Sequence, residues 1–438
     1  MVLIRQLLPL SALLLASGLL VMGNGLATLL IPTRASLEGW STGTVGLMGA
    51  AYALAFTLGC VVVPRLVGRV GHIRVFAALG TLVTISMLLL ALEVTQWFWI
   101  AIRGLAGFSI AGSYMILESW LNEEVSNENR GTIFSIYMVV NMLGLALGPY
   151  LVSFGHPENF SLFAWAAILY ALCTLPIALT SARSPQPLAR VSLDLPALYR
   201  NSPASAVGSL LTGIVSGAWF TLVPVFASES GLGTAAAATL LATANVGAML
   251  FQLPVGRLSD RIDRRLVMVG LGIAGALLSL AVATLGGTIP VAVLTFLMGT
   301  TIFTAYSINV AHANDWAKDM SFVAVASGLL ILYGAGSTVG PLIASAVMEV
   351  VGPNGLFVSI GTAQALYAAF AMWRVTQRAD APEEEQGDFR SLPIQLSATP
   401  QTFEFDPRSE DAVAPVEPED ESAPNPVWGW EYRPGADS

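Results

Sequence analysis

Two ionisable residues stand where so apolar a chain should carry no charge. Arg103 is the sixth residue of an apolar run at 98–119, and Glu118 lies at the far end of the same run. A charged side chain at the centre of a membrane helix costs roughly 2.5–3.5 kcal/mol, and less toward the rim. A residue held there is expected to meet a solute, a proton or a partner side chain. On a helical period Arg103, Gly107 and Tyr114 share one face, with Glu118 about 60° round. A cation, a phenol and a carboxylate at successive depths could bind an anion and carry a proton. Each charge also has a plainer use. Arg103 could snorkel to headgroups or pair with Glu93, and Glu118 could pair with basic residues beyond the helix end.

Much of the remaining charge gathers in one turn. G-R-L-S-D-R-I-D-R-R, from Gly256 to Arg265, separates two apolar runs, and a weaker copy, P-R-L-V-G-R-V-G-H-I-R, lies 192 residues earlier at Pro64–Arg74. At that offset Arg69 meets Arg261, Gly71 meets Asp263 and His72 meets Arg264, while Gly68 stands opposite Asp260. The register persists: Pro32 meets Pro224, Gly80 meets Gly272, Gly107 meets Gly299, Tyr114 meets Tyr306 and Asn122 meets Asn314. A turn written twice implies a chain built twice.

The elements that carry these residues follow from composition. Of 438 residues 55% are apolar and only 11% charged, against about 25% charged in an ordinary soluble domain. Twelve runs are long enough to cross a bilayer as helices: 7–31, 43–63, 75–93, 98–119, 132–154, 160–181, 203–226, 236–255, 266–285, 291–312, 321–350 and 356–375. The first is too long for the core of a cleaved signal. Fifteen basic residues fall in segments on one side of these spans and only Arg34 in loops on the other. By the positive-inside bias both termini are cytoplasmic. The net charge of −9 divides into +3 up to Arg378 and −12 beyond it, so no basic surface invites nucleic acid. Cys60 and Cys173 lie within apolar runs as packing residues, and the three histidines form no cluster, so neither a metal nor a cofactor is expected. Lys318 is the sole lysine and no phosphate-binding G-x-x-x-x-G-K-[ST] exists. No nucleophile, base and acid gather on one side, and the chain reads as no enzyme.

The expected organisation is all-α: a six-helix bundle over 1–181, a cytoplasmic linker over 182–202 with an amphipathic turn near Leu193–Tyr199, and a second bundle over 203–378. Residues 379–438 hold nine prolines and fifteen acids, and are expected to be a disordered acidic cytoplasmic tail. That tail is either inert or a docking peptide ending in V-W-G-W-E-Y.

The repeat is sharpest where Asn141–Pro149 aligns with Tyr333–Pro341, sharing G-x-x-x-G-P as Gly144, Gly148, Pro149 and Gly336, Gly340, Pro341. Glycines four apart let helices approach closely, and the proline opens a backbone hydrogen bond. Two such halves in the same orientation form a parallel repeat. The turn motif at Gly256, Asp260, Arg261, Arg264 and Arg265, the Arg103-x-x-x-Gly107 pair and the G-x-x-x-G-P runs together resemble the major facilitator superfamily over about residues 5–378. E-S-W-L-N from Glu118 and N-R-G from Asn129 resemble a bacterial subgroup of it with no assigned substrate. The first-half turn departs from the family pattern at Gly68 and at His72-Ile73.

The resemblance implies twelve transmembrane helices in two pseudo-symmetric bundles. These rock about a central site to move a small-molecule substrate, with a proton as coupling ion, as a monomer in the lipid bilayer. It implies that the turn arginines gate the cytoplasmic side: Arg69 and Arg74 with Glu123, Arg264 and Arg265 with Asp315, and Asp260 and Arg261 completing the motif. It further implies that segments 1, 4, 7 and 10 line the cavity, making Asn24, Arg103, Tyr114, Trp219, Tyr306 and Asn309 the candidate substrate site. Each of these could instead be an interhelical hydrogen bond. Glu118 is the candidate for proton coupling, since no acid lies at mid-depth in segments 1, 7 or 10. The alternative class is a non-transporting sensor or scaffold of the same fold that signals through the acidic tail.

Overall fold

The computed structural model describes residues 2–125, 129–178, 194–285, 288–316, 320–377, 389, 392 and 398–406. Its helices in the first half are α1 (Val2–Leu37), α2 (Thr42–Val70), α3 (His72–Leu92), α4 (Gln96–Glu124), α5 (Arg130–Leu147) and α6 (Phe160–Ala178). A short α7 (Leu195–Asn201) precedes α8 (Pro203–Glu229), α9 (Gly233–Ser259), α10 (Arg264–Leu285), α11 (Thr288–Trp316), α12 (Phe322–Val351) and α13 (Gly355–Gln377). A last helix, α14, spans Pro400–Phe405. Twelve of these, all but α7 and α14, are long and apolar enough to cross a membrane. Helix is the required form, because hydrocarbon offers no partner to a backbone N–H or C=O.

The 192-residue register reappears in the element boundaries. Helices α4 and α11 both hold 29 residues and begin and end 192 positions apart. The starts of α3 and α10, and of α5 and α12, keep the same spacing. One break in the symmetry lies at Gly148-Pro149. There α5 gives way to a 3-10 segment, Gly148–Phe154, whereas α12 runs unbroken through Pro341.

Glycine sets the closest helix pairs, and sets them twice. A Cβ on Gly148 would lie 2.5 Å from the Met22 carbonyl oxygen, and one on Gly340 would lie 2.1 Å from that of Ile214, the residue 192 beyond Met22. Gly144 and Gly336 extend the same seams toward Gly18 and Leu210. Gly107 presses likewise on the Tyr52 carbonyl and Gly299 on that of Ala244, again 192 apart. Helix α5 is thus drawn to α1, α12 to α8, α4 to α2 and α11 to α9.

The two ends of the bundle close differently. At the end opposite the arginine turns the halves meet directly. Thr42 Oγ1 donates to Glu229 Oε1 at 2.9 Å, and the Gly43 N–H donates to Glu349 Oε1 at 2.8 Å. Two carboxylates of the second half thereby sit at the N-terminus of α2, whose first N–H groups lack helical partners and carry positive partial charge.

At the arginine-turn end the described parts of the tail fill the gap between the halves. Phe389, Leu392 and Ala398–Asp406 are described, with Phe403 and Thr402 wholly buried. Averaging over the sixty residues of the tail, fifteen of them acidic, hides this window, which pairs apolar anchors with a local helix start. Thr399 caps α14: its hydroxyl accepts from the Gln401 N–H at 3.2 Å, while Thr402 Oγ1 accepts from the Thr399 N–H at 2.8 Å. Of the expected linker, α7 stands close to the turn foreseen at Leu193–Tyr199, with Asp194 Oδ1 accepting from the Ala197 N–H at 2.8 Å. Residues 179–193 and the aromatic terminus beyond Asp406 lie outside the described residues.

Candidate functional site

Between the halves lies a cavity of about 90 Å³. Helix α2 contributes Tyr52, Phe56, Thr57 and Cys60, α8 contributes Ser216, Phe220 and Thr221, and α12 contributes Tyr333 and Ser337. Thr28 comes from α1, Arg103 from α4 and Pro400 from the tail. Among the described residues Arg103 is the one charged side chain lining it. Its guanidinium carbon lies 4.3 Å from the centroid of the Tyr52 ring, a cation–π contact that gains strength when water is excluded. The Tyr52 hydroxyl donates to Asn24 Oδ1 at 3.2 Å, which fixes the ring under the cation. Among the described residues Arg103 forms no ion pair, and the alternative partnership with Glu93 is absent.

Of the six candidate substrate residues, only Arg103 lines this cavity. Tyr114 is buried against Phe56 at a ring separation of 6.5 Å. Trp219 is buried, the Tyr306 hydroxyl donates to the Ala326 carbonyl at 3.1 Å, and Asn309 Oδ1 accepts from the Tyr367 hydroxyl at 2.8 Å. Asn24 acts through Tyr52. Close packing at Gly107 explains the difference on α4. The face shared by Gly107 and Tyr114 is covered by α2, and only the long side chain of Arg103 reaches past that contact. The expectation that segments 4 and 10 form the walls is therefore corrected, with α2 and α12 taking that place. A stripe was legible at Tyr52, Phe56 and Cys60, spaced four apart on one face of an apolar run, but it reads equally as packing.

Glu118 lies at the tail-filled mouth, wholly buried. The Tyr137 hydroxyl donates to its Oε1 at 2.7 Å, the Thr402 hydroxyl donates to the same oxygen at 2.6 Å, and the Thr399 hydroxyl donates to Oε2. The turn arginines do not reach it. Burial pushes the Glu404 carboxyl of the seated tail up to about 7, although Gln401 Nε2 donates to it at 3.2 Å.

The two arginine turns differ in kind. Arg264, 2% exposed, donates from Nε to Asp315 Oδ2 at 2.7 Å, stands 3.2 Å from Asp260 Oδ1, and donates to Ser259 Oγ at 3.1 Å. Arg265 pairs with Asp263 at 2.7 Å rather than with Asp315, because Asp263 lies two residues away in its own turn. Arg261 is exposed. In the first half Arg69, Arg74 and Glu123 are all exposed and form no ion pair among the described residues, so the expected pairing of Arg69 and Arg74 with Glu123 is not seen. The ion cluster that does form lies within the second half, joining the ends of α9, α10 and α11. Between the halves at this end runs the tail, its Phe389 N–H donating to Asp260 Oδ1 at 3.0 Å. Among the described residues no group of three His, Cys, Asp or Glu side chains gathers as a metal site.

Twelve apolar helices in two repeated bundles around one cavity define a multi-pass membrane transporter of the twelve-helix kind. The family model of the Major Facilitator Superfamily matches residues 13–249 and again 205–414. The chain belongs to that superfamily. It is 28% identical over 361 residues to proteins called uncharacterized MFS-type transporter YcaD in strains of Escherichia coli and in Shigella flexneri, covering 81% of this chain and 93% of theirs. Among solved structures it resembles a point mutant of the nucleoside transporter NupG, with a TM-score of 0.72, 16% identity and coverage of 83% of this chain and 98% of that one. A bacterial homologue of the human lysosomal transporter Spinster, in an inward-facing and occupied conformation, gives a TM-score of 0.70 at 15% identity, covering 87% and 98%. At those identities the likeness concerns the fold.

Proposed function

We propose that the protein is a secondary active transporter that moves a small organic anion across the bacterial inner membrane by alternating access. The observation that carries this reading is a largely apolar, aromatic cavity between the halves whose lining holds one cation, Arg103, with no counter-ion among the described residues. Arg103 is half-buried and stacks on Tyr52 with no carboxylate beside it, so an anionic solute would supply the missing counter-charge while Phe56, Phe220 and Tyr333 hold its apolar body. Alternating access fits the unequal ends: direct contact between halves at one, a removable segment at the other. The basic bias makes the arginine-turn end cytoplasmic. Glu118 is then a carboxylate at the cytoplasmic mouth, held by hydroxyls and positioned to exchange a proton.

Thermal-shift screening of the purified protein against organic anions and their neutral analogues tests the reading. An anion is expected to raise the melting temperature of the wild type, with the shift lost in Arg103→Ala. Equal shifts from neutral analogues, or an undiminished shift in Arg103→Ala, would refute the assignment. A second reading, a sensor of the same fold, is favoured only by the seated tail. Transport that survives deletion of residues 379–438 eliminates it.

A further inference from the structure

We propose that the arginine-turn mouth of the cavity is a peptide-binding site whose ligand is the chain's own tail, through Phe389, Leu392 and Ala398–Asp406, and that seating of Ala398–Asp406 shuts the mouth. The contacts come from both halves. In the first half, Glu118 receives the hydroxyls of Thr399 and Thr402. In the second, Asp260 receives the Phe389 N–H at 3.0 Å, and Gln252 Nε2 donates to the Leu392 carbonyl at 3.0 Å. Phe403 meets Phe322 edge-on at 6.2 Å. Pro400, at the start of α14, forms part of the cavity lining itself.

The body is shaped for this ligand. A Cβ on Gly256 would come within 1.9 Å of the Phe389 ring, so the glycine of the turn motif makes room for a tail aromatic. Glu118 is buried with three hydroxyl donors and no cation, and two of those three belong to the tail. An ionised carboxylate without donors is costly to bury, so the acid and the threonines stabilise one another only while the segment is seated. When it leaves, the mouth opens and water reaches the carboxylate. The chemistry recognised is a short capped helix start, T-P-Q-T-F, that presents two hydroxyls to one carboxylate and a phenyl ring to an apolar wall.

Thiol accessibility tests this without knowledge of the solute. Cys60 is native, buried and lines the cavity. In full-length protein carrying Cys173→Ser, reconstituted in nanodiscs, a charged maleimide should alkylate Cys60 slowly. Thr399→Val with Thr402→Val removes two charge-assisted hydrogen bonds to Glu118, and with them the cap of α14, at nearly constant shape, and should speed that alkylation on the order of tenfold or more. Gly256→Ala, which evicts Phe389 from the opposite half, should act in the same direction and guards against a folding defect peculiar to the first variant. A parallel reporter, Ala398→Cys in a Cys60→Ser, Cys173→Ser background, reads the segment itself, since Ala398 is 1% exposed when seated. Full-rate labelling of that reporter in the otherwise wild-type chain would show that the segment is not seated. Continued protection of the reporter in the double valine variant would remove Glu118 as its anchor. Release of the reporter with Cys60 still protected would show that the segment does not shut the cavity. Any of the three overturns the proposal.

Discussion

Helices α4 and α11 are the same element built twice, and comparing them separates what the repeat shares from what each half adds. Both run 29 residues, both press a glycine onto a neighbour's carbonyl, and both carry a tyrosine seven residues further on. Their charges diverge. In α4 the interior holds Arg103 and Glu118, where α11 has Thr295 and Val310. At the arginine-turn end the order reverses: Asp315 of α11 binds a buried arginine, while its counterpart Glu123 stands exposed. The first half carries the charge that can meet a solute, and the second carries the charge that holds its own helices together. Backbone packing is duplicated because both halves must pack. Charge is not: of the two helices only α4 places a cation in the cavity lining.

The largest break in the comparison should come from its acids. Arg264 and the Asp315 carboxylate are almost fully buried, and removing one partner of a buried pair costs roughly 3–5 kcal/mol. Asp315→Ala should fall toward the lower figure, because Asp260 remains 3.2 Å from Arg264. Glu123→Ala, at the equivalent exposed position, should leave stability unchanged. Denaturation of both variants in the same detergent decides the matter, and equal losses would mean that the first-half turn holds an ion cluster after all.

That contrast also shows what the residues disclosed in advance. The twelve spans, the repeat register and the glycine seams follow from periodicity and from the need to satisfy backbone groups in lipid, so they were legible. The pairing of Arg264 with Asp315 was legible as one of two options, and local geometry gave Arg265 to Asp263. The cavity wall was not legible. Tyr114 and Tyr306 share a face with Gly107 and Gly299, and a glycine marks where another helix presses, which is where a solute cannot reach. The packed window of the tail was not legible for a different reason: sixty residues averaged together conceal Phe389, Leu392 and Phe403, whose burial depends on a seat formed by distant helices.

The duplicated glycines should respond alike where the charges do not. A methyl on Gly299 would stand 1.8 Å from the Ala244 carbonyl oxygen and one on Gly107 would stand 2.3 Å from that of Tyr52, both backbone atoms with little room to yield. Gly299→Ala and Gly107→Ala should each cost about 1–3 kcal/mol by overpacking, Gly299 more. Gly104→Ala, whose nearest neighbour would be 3.8 Å away, serves as the control and should be silent. Loss of stability in one half alone would mean that the repeat is not a packing repeat.

The smallest effect bears most directly on why the two turns differ. Asp260→Asn weakens one contact to Arg264 and one to the Phe389 N–H, at a site partly open to water, and should cost about 1 kcal/mol. Gly68→Asp places an acid at the matching position, where a Cβ would meet nothing within 4 Å. An acid there has no arginine to bind, because the counterpart of Arg264 is His72. Installed alone it should change neither stability nor transport, and Asp260→Asn should impair transport more. Combining Gly68→Asp with His72→Arg supplies both members of the pair. The two changes should then couple favourably in a double-mutant cycle, by a few tenths of a kcal/mol and at most about 1. Zero coupling would place the asymmetry in the backbone of the turn, and a full effect from Gly68→Asp alone would show that His72 already serves as the cation.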